Sequence, residues 1–155
     1  MEKKNDKMAN TYVSNNVHIV FHTKTGGTTI AHDDEGSLYK YMAGIVNATG
    51  SHLIEIGGMP DHVHMLVSVT KTIALADLVR TIKAESSRWL KRYSPIYNQF
   101  AWQEGYGAFS VSASLKSKVI QYIRNQEHHH EKRTFAEEFK VFLDAYGIEY
   151  DHRYL

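Results

Sequence analysis

The sequence predicts an α+β fold built on one antiparallel sheet of four strands. Segments with the two-residue alternation of β-strands and segments with apolar residues at helical spacing follow one another as strand–helix–strand–strand–helix–strand. This order is that of a split βαβ sheet of the ferredoxin-like or RRM-like type, with helices on one face and the other face free for a ligand or partner. Two more helical segments follow the last strand and form a C-terminal extension.

The first strand and the first helix are predicted in the N-terminal third of the chain. In residues 17–22 apolar and polar side chains alternate, so that His18 and His22 lie on the face opposite the core, and we interpret both as structural. An acidic segment at residues 33–37 predicts the start of a helix that continues to about residue 50. Residues 1–10 are predicted to be a loose, polar lead-in.

A pair of histidines lies at the start of the third predicted strand. The second strand, residues 52–56, leads into a predicted turn at Gly57-Gly58, and the third strand begins at His62. Because side chains alternate along a strand, His62 and His64 point to the same face. Two imidazoles on a rigid strand make half of a metal site. The alternative is a pair of half-exposed structural histidines, since ten histidines in 155 residues make about one such pair expected by chance.

The second helix, predicted over residues 73–93, carries a concentration of basic side chains beside its apolar stripe. The basic residues are Arg80, Lys83, Arg88, Lys91 and Arg92. Two interpretations stay open, a surface that contacts DNA phosphates and an ordinary solvated helix face. The strand predicted over residues 100–111 contains Trp102, Tyr106 and Phe109, which are either base-stacking or core residues. Its glycines indicate a bulge or a close backbone approach.

The C-terminal extension is predicted to form two helices, residues 112–131 and 134–146. On the first, Tyr122 and Gln126 lie one turn apart on one face, the spacing at which a phenol and an amide oxygen reach one ion or one phosphate. The alternative is that Tyr122 only continues the apolar stripe of its helix. The run His128-His129-His130 is interpreted as a polar helix end or, alternatively, as a metal trap.

Composition limits the possible classes of protein. The 155 residues predict a single domain spanning 1–155, and the absence of cysteine excludes disulfides and thiolate metal sites. No apolar run approaches the length of a membrane span and the polar start lacks the apolar core of a signal peptide, so we expect no membrane association and a cytoplasmic location. The net charge of +1 argues against coating of duplex DNA but allows a local basic groove.

Three segments together resemble a known family: GGMPDHVHMLV at residues 57–67, WQEGYGAFSV at residues 102–111 and YIRNQEHH at residues 122–129. They are similar to the TnpA-type one-tyrosine transposases of single-strand insertion sequences, within the HUH (His-hydrophobic-His) nuclease superfamily. The likeness runs from the first predicted strand to residue 150, with the motifs in the expected order and separation.

The resemblance implies a role for each candidate residue. His62 and His64 would be metal ligands, Gln126 the third protein ligand, and Tyr122 the nucleophile, on what would be a catalytic helix. The implied ion is a divalent cation, Mg²⁺ or Mn²⁺, although zinc, cobalt or nickel would also bind a histidine-rich site. The implied activity is cleavage and rejoining of single-stranded DNA at hairpin-bearing element ends through a 5′-phosphotyrosine. The implied assembly is a homodimer in which the tyrosine helix of one subunit completes the histidine pair of the other.

Three other functions remain as alternatives. A domesticated relative would use the same chemistry on chromosomal palindromic repeats. A non-catalytic RRM-like module would bind nucleic acid without metal. A metal-binding protein without a nucleic-acid role is disfavoured by the basic helix.

Overall fold

The computed structural model describes residues 10–129, 133–151 and 153. One antiparallel sheet has the strand order β2-β3-β1-β4, as a split βαβ sheet requires. Its strands are β1 (Asn16–His22), β2 (His52–Met59), β3 (His62–Ser68) and β4 (Gly107–Val111). The α-helices among the described residues are α1 (Glu35–Ala48), α2 (Leu75–Tyr93), α3 (Lys116–Arg124), α4 (Gln126–His129) and α5 (Phe135–Ala145). The predicted α+β fold class is therefore confirmed.

Two sequence predictions fall largely on residues outside this description. The predicted lead-in at residues 1–10 lies outside the described residues except for Asn10. The side chains of the run His128-His129-His130 also lie outside them.

The main core lies between the sheet and the two helices α1 and α2. The two central strands contribute alternate residues, as the two-residue period predicts. These residues are Val17, Ile19 and Phe21 of β1 and Val63, Met65 and Val67 of β3. The helices contribute fully buried aliphatic side chains at helical spacing, including Leu38, Met42 and Val46 of α1 and Leu78, Ile82 and Leu90 of α2.

The opposite face of the sheet is covered by α3 and α5, so the prediction of a free face is wrong. Ile123 of α3 packs on Leu66 of β3, and Leu143 of α5 packs with Val20 and Phe109. Leu66, Val20 and Phe109 are apolar side chains on the same face of the sheet as the histidines. Without the covering helices these side chains would be exposed to water, which is unfavourable. Leu66, which breaks the alternation of β3, has no exposed surface. The covering helices bring the C-terminal part of the chain against the histidine pair.

The predicted turn at Gly57-Gly58 is also wrong, because both glycines lie inside β2 and the chain turns at Pro60-Asp61. Gly57 serves a close approach between α3 and the sheet. A Cβ atom at this position would lie 2.5 Å from the carbonyl oxygen of Ile123, which is closer than any real contact. Glycine at residue 57 therefore lets α3 lie directly on β2.

Two further elements differ from their predicted extent. The helix predicted over residues 112–131 is a 3₁₀ turn (Ala113–Leu115), then α3, a break at Asn125, and α4. The last strand starts at Gly107 instead of residue 100, because the preceding segment only makes an isolated bridge between Thr23 and Trp102. Of the two predicted alternatives at its glycines, a bulge or a close approach, Gly107 shows a close approach to the Phe139 ring, whereas a Cβ atom at Gly105 would meet nothing within 4 Å. No helix in the described part of the chain is both long and apolar enough to cross a membrane.

Candidate active site

The two strand histidines lie side by side beneath the C-terminal helices. His62 and His64 are 1% and 0% exposed, and the centroids of their rings are 5.2 Å apart. The predicted common orientation on β3 is confirmed, since both rings contact residues of the helices that follow β4. Their burial excludes the alternative of half-exposed strand histidines.

In each of the two imidazoles, Nδ1 contacts a neighbouring side chain, and Nε2 therefore points toward the space between the sheet and the C-terminal helices. Nδ1 of His62 lies 2.7 Å from Oδ1 of Asp61, and Nδ1 of His64 lies 2.8 Å from Nε2 of His18. Such contacts fix the ring orientation and the tautomer of a metal-binding histidine. Burial, with a smaller contribution from His64, lowers the pKa of His18 to about 3, so His18 is neutral and can accept a hydrogen bond from His64. Both Nε2 atoms thereby face the C-terminal helices, where Gln126 and Glu138 contact them.

The side-chain amide of Gln126 contacts Nε2 of His62. It begins α4 directly after the break at Asn125 and is 2% exposed. Its Oε1 lies 2.9 Å from Nε2 of His62, and its Nε2 donates a hydrogen bond of 3.1 Å to Oε2 of Glu138. The tautomer of His62 that donates from Nδ1 to Asp61 has a lone pair on Nε2, and this lone pair faces an amide oxygen that also carries lone pairs. A cation between Nε2 of His62 and Oε1 of Gln126 could accept a lone pair from each atom, so both would act as its ligands.

Glu138 of α5 is the residue of the site that sequence reasoning missed. Its Oε1 lies 3.1 Å from Nε2 of His64 and 3.6 Å from Nε2 of His62, and the residue is 2% exposed. Burial raises the pKa of Glu138 to about 7, the nearby Asp61 acts in the same direction, and His62 opposes both. The signal for it in the sequence is a carboxylate within the apolar stripe of its helix, three residues after Phe135 and four before Phe142.

Tyr122 stands at the edge of the same cluster, half-buried on α3. Its hydroxyl donates a hydrogen bond to Oε2 of Glu138, and its ring centroid is 5.7 Å from that of His64 and 5.5 Å from that of Phe142. The phenol therefore does more than continue an apolar stripe. One chain brings Tyr122 and Gln126 to its own histidine pair, an arrangement in cis.

The donor atoms of the cluster fit a divalent cation. Ligand atoms of His62, His64 and Glu138 lie within 4.8 Å of one another. Oε1 of Gln126 lies 2.9 Å from Nε2 of His62. Adjacent ligands of an octahedral ion with bonds of about 2.1 Å are about 3 Å apart, close to the separations of 2.9, 3.1 and 3.6 Å between these atoms. Two imidazoles with two oxygen donors suit Mn²⁺ and other first-row ions, and the oxygens suit Mg²⁺.

Comparison with known proteins identifies the family of the chain. The family model described as an IS200-like transposase matches residues 11–126, three quarters of the chain. The chain belongs to this family. The predicted family resemblance is thereby confirmed, and the matched range includes His62, His64, Tyr122 and Gln126. Glu138 lies beyond its end.

Individual relatives of this transposase support the assignment. It is 26% identical over 114 residues to the ISDra2 transposase TnpA of Deinococcus radiodurans, a match that covers 70% of this chain and 81% of the relative. A crystal structure of a protein assigned as a transposase in Deinococcus radiodurans R1 superposes with a TM-score of 0.59 at 25% identity and covers 81% of this chain and 98% of the other. A REP-associated tyrosine transposase bound to a REP hairpin shares the fold, with a TM-score of 0.59 at 10% identity over 77% of this chain and 71% of the other.

A cavity of about 380 Å³ opens beside the nucleophile candidate of the transposase. Tyr122, His18 and Glu138 line it, together with apolar side chains of α3 and α5. Two exposed cationic side chains, Lys118 and Arg133, also line it. The cavity thus connects the buried cluster with a positively charged rim.

The five basic residues predicted on the second helix of the transposase do not share one surface. Arg80, Lys83 and Lys91 line a groove between α2 and residues 100–106, and Arg88 and Arg92 do not. The ammonium group of Lys83 donates hydrogen bonds to the carbonyl oxygens of Gln103 (2.8 Å) and Gly105 (2.6 Å), which commits two of its three donors to the protein itself. Lys83 therefore fixes residues 103–105, which line the groove opposite α2.

The three aromatic residues predicted as base-stacking or core residues, Trp102, Tyr106 and Phe109, differ in how exposed they are. Phe109 is 1% exposed in the core, so it is unavailable for base stacking. Trp102 lines the groove but donates its indole N–H to Ser86 and packs edge-on against Phe21. Tyr106 is 40% exposed in the same groove and keeps an accessible ring face.

Proposed function

We propose that this transposase cleaves and rejoins single-stranded DNA at hairpin-bearing ends of a mobile element, through a 5′-phosphotyrosine on Tyr122. His62, His64 and Gln126 would hold a divalent cation, with Mg²⁺ or Mn²⁺ as the expected ion. The observation that carries the proposal is the meeting of these three residues with Tyr122 around one set of inward-facing donor atoms.

The strand-transfer step would exchange one phosphate ester for another. The phenolic oxygen of Tyr122 attacks phosphorus, a bond from phosphorus to tyrosine forms, and the bond to the 3′ oxygen of the preceding nucleotide breaks. The phenol proton ends on the released 3′ hydroxyl. The ester conserves the energy of the broken bond, so a 3′ hydroxyl can attack it in the reverse direction without ATP. A divalent cation supplies charge stabilisation for this displacement, because it polarises the phosphodiester.

Two separate surfaces suit a DNA strand that carries a folded end, a groove beside α2 and a cavity beside Tyr122. The groove beside α2 offers Arg80 and Lys91 to the phosphates of a hairpin stem. The cavity beside Tyr122 offers apolar walls to an unpaired nucleotide and the charges of Lys118 and Arg133 to its phosphates. Arg88 and Arg92 remain predicted DNA contacts on the outer surface of α2. The structural neighbour bound to a REP hairpin makes hairpin DNA a reasonable class of ligand.

The assembly of the protein is a separate part of the proposal. The family resemblance implies a homodimer, whereas the described chain completes its cluster in cis. Mixing a Tyr122→Phe chain with a His64→Ala chain separates these cases. Restored cleavage supports completion in trans, and no restoration supports cleavage by each chain alone.

Formation of a covalent adduct tests the proposed chemistry directly. Labelled single-stranded oligonucleotides that cover the DNA flanking the gene are incubated with the protein and Mn²⁺ and separated on a denaturing gel. We expect a protein–DNA adduct that EDTA abolishes and that is absent in Tyr122→Phe. An equal adduct in Tyr122→Phe would overturn the proposal. Metal-independent binding without any adduct would support a non-catalytic binding module instead.

A further inference from the structure

We propose that Glu138 is a fourth protein ligand of the divalent cation through Oε1, and that it positions Tyr122 and Gln126 through Oε2. The inference rests on the proposed function, since it assigns one more residue to the same metal. It concerns a helix, α5, that lies outside the part of the chain matched by the family.

The first oxygen of Glu138 faces the metal ligands. Oε1 lies 3.1 Å from Nε2 of His64 and 3.6 Å from Nε2 of His62, the two nitrogens that point into the cluster. These distances match the edges of a coordination polyhedron with bonds of about 2.1 Å. An ion bonded to both nitrogens would therefore have this carboxylate oxygen within reach, without any movement of the backbone.

The second oxygen of Glu138 holds the two residues from the preceding helices. Oε2 accepts hydrogen bonds from the hydroxyl of Tyr122 and from Nε2 of Gln126. The contact with Gln126 turns its amide so that Oε1 faces His62, as a ligand must. One carboxylate thus links the proposed ion, its amide ligand and the proposed nucleophile.

Burial and charge both favour this assignment. A carboxylate that is 2% exposed is costly to keep ionised unless a cation lies beside it. The imidazoles of His62 and His64 both lie within ion-pair distance of its Oε1. The cation and the incoming phosphate complete the charge balance, because one carboxylate and one phosphodiester neutralise a charge of +2. The added oxygen ligand also favours Mg²⁺ and Mn²⁺ over ions that prefer nitrogen.

Calorimetric titration of the full chain with Mn²⁺ tests the ligand role. Glu138→Gln keeps the shape and removes the charge, and we expect its affinity for Mn²⁺ to fall at least about tenfold. Glu137→Gln is the matched control: it makes the same change one residue away, on an exposed side chain whose capping box accepts glutamine. Its affinity should stay within about twofold of the wild type.

The outcomes separate this inference from the proposed function. Equal Mn²⁺ affinity in the wild type and Glu138→Gln would overturn the ligand role of Glu138 and leave the proposed metal site intact. Absence of Mn²⁺ binding in the wild type would instead overturn the metal site itself. The visible spectrum of bound Co²⁺ gives a second readout, because loss of a ligand changes its bands and a distant charge change does not. Melting of the metal-free variants checks that they are folded.

The positioning role has its own measurement. Adduct formation by Glu138→Gln is followed at Mn²⁺ concentrations that saturate the variant. We expect the rate to remain at least about tenfold below that of the wild type, because the fixed acceptor for the Tyr122 hydroxyl is changed. A rate restored to the wild-type value at saturating metal would overturn the positioning role.

Discussion

Nε2 of His18 lies 2.8 Å from Nδ1 of His64, and this contact joins two central strands of the sheet directly beneath the proposed metal. For Nε2 of His64 to bind an ion through its lone pair, Nδ1 must carry the hydrogen and donate it. His18 is buried and held neutral, so its ring nitrogen is the acceptor.

Replacement of His18 by alanine should therefore weaken the metal site without removing a ligand. We expect Mn²⁺ affinity to fall by about 10- to 100-fold, as for other residues that orient a ligand. His52→Ala, an exposed histidine on β2, is the control and should leave affinity unchanged. Calorimetry measures both variants, and wild-type affinity in His18→Ala would show that the orientation of His64 does not depend on this contact.

Gly57 controls how closely α3 approaches the sheet. A methyl group at this position would collide with the Ile123 backbone, so Gly57→Ala should push α3 outward and displace its neighbour Tyr122. We expect a loss of stability of about 2 kcal/mol or more and a strong loss of adduct formation. Urea denaturation and the adduct assay measure the two effects.

Gly44→Ala provides the matched control for this change. Gly44 lies inside α1, and a Cβ atom there would meet nothing within 4 Å. The same substitution should therefore stabilise the protein by about 0.4–1 kcal/mol, because alanine favours the helix. Equal destabilisation by both substitutions would contradict the role assigned to Gly57.

Tyr97 ties the segment after α2 to the start of α1. Its buried hydroxyl donates a hydrogen bond to Asp34 and accepts one of 3.1 Å from the backbone N–H of Ala31. Tyr97→Phe leaves that N–H without its partner, so we expect a loss of about 1–3 kcal/mol in urea denaturation. Tyr93→Phe, on an exposed ring, should change stability by less than about 0.5 kcal/mol.

The same hydroxyl predicts a dependence of stability on alkaline pH. Burial and the hydrogen bond to Asp34 raise the pKa of Tyr97 to about 12. The unfolded chain loses this proton near its ordinary pKa of 10, so between about pH 10 and 12 the unfolded state binds fewer protons than the folded state. The contribution of Tyr97 to stability should be constant below pH 10 and lost as the pH rises to 12. A wild-type slope no steeper than that of Tyr97→Phe in this window would contradict it.

The sequence alone predicts the relative placement of residues that are close together in the same strand. His62 and His64 are two residues apart on a strand, so periodicity relates them without tertiary information. The prediction that Tyr122 and Gln126 share one helix is wrong, because α3 ends at Arg124 and Gln126 begins α4. The resemblance then assigned both pairs to one site. Despite the break at Asn125, Oε1 of Gln126 lies 2.9 Å from Nε2 of His62, and the roles that the resemblance implies for these residues stay predictions.

Glu138 and the true role of Gly57 could not be obtained in the same way. Each depends on which helix packs over which strand, and such packing arises from contacts distant in sequence. A glycine pair after a strand predicts a turn as readily as a close helix contact. A carboxylate in an apolar stripe signals only that some partner exists, and the partner here lies 74 residues away in the chain, at His64.

The groove beside α2 offers a prediction with an internal control. Arg80 and Lys91 line the groove, whereas Arg88 and Arg92 lie on the same helix outside it, so two double alanine variants remove equal charge from different surfaces. If a hairpin stem binds in the groove, Arg80→Ala/Lys91→Ala should reduce the slope of log affinity against log salt by about two. Fluorescence anisotropy with a labelled hairpin oligonucleotide at several salt concentrations measures this slope. Arg88→Ala/Arg92→Ala should change the slope less, since those side chains do not line the groove. Equal slopes for the two variants would show that charge on the helix acts without a defined binding groove.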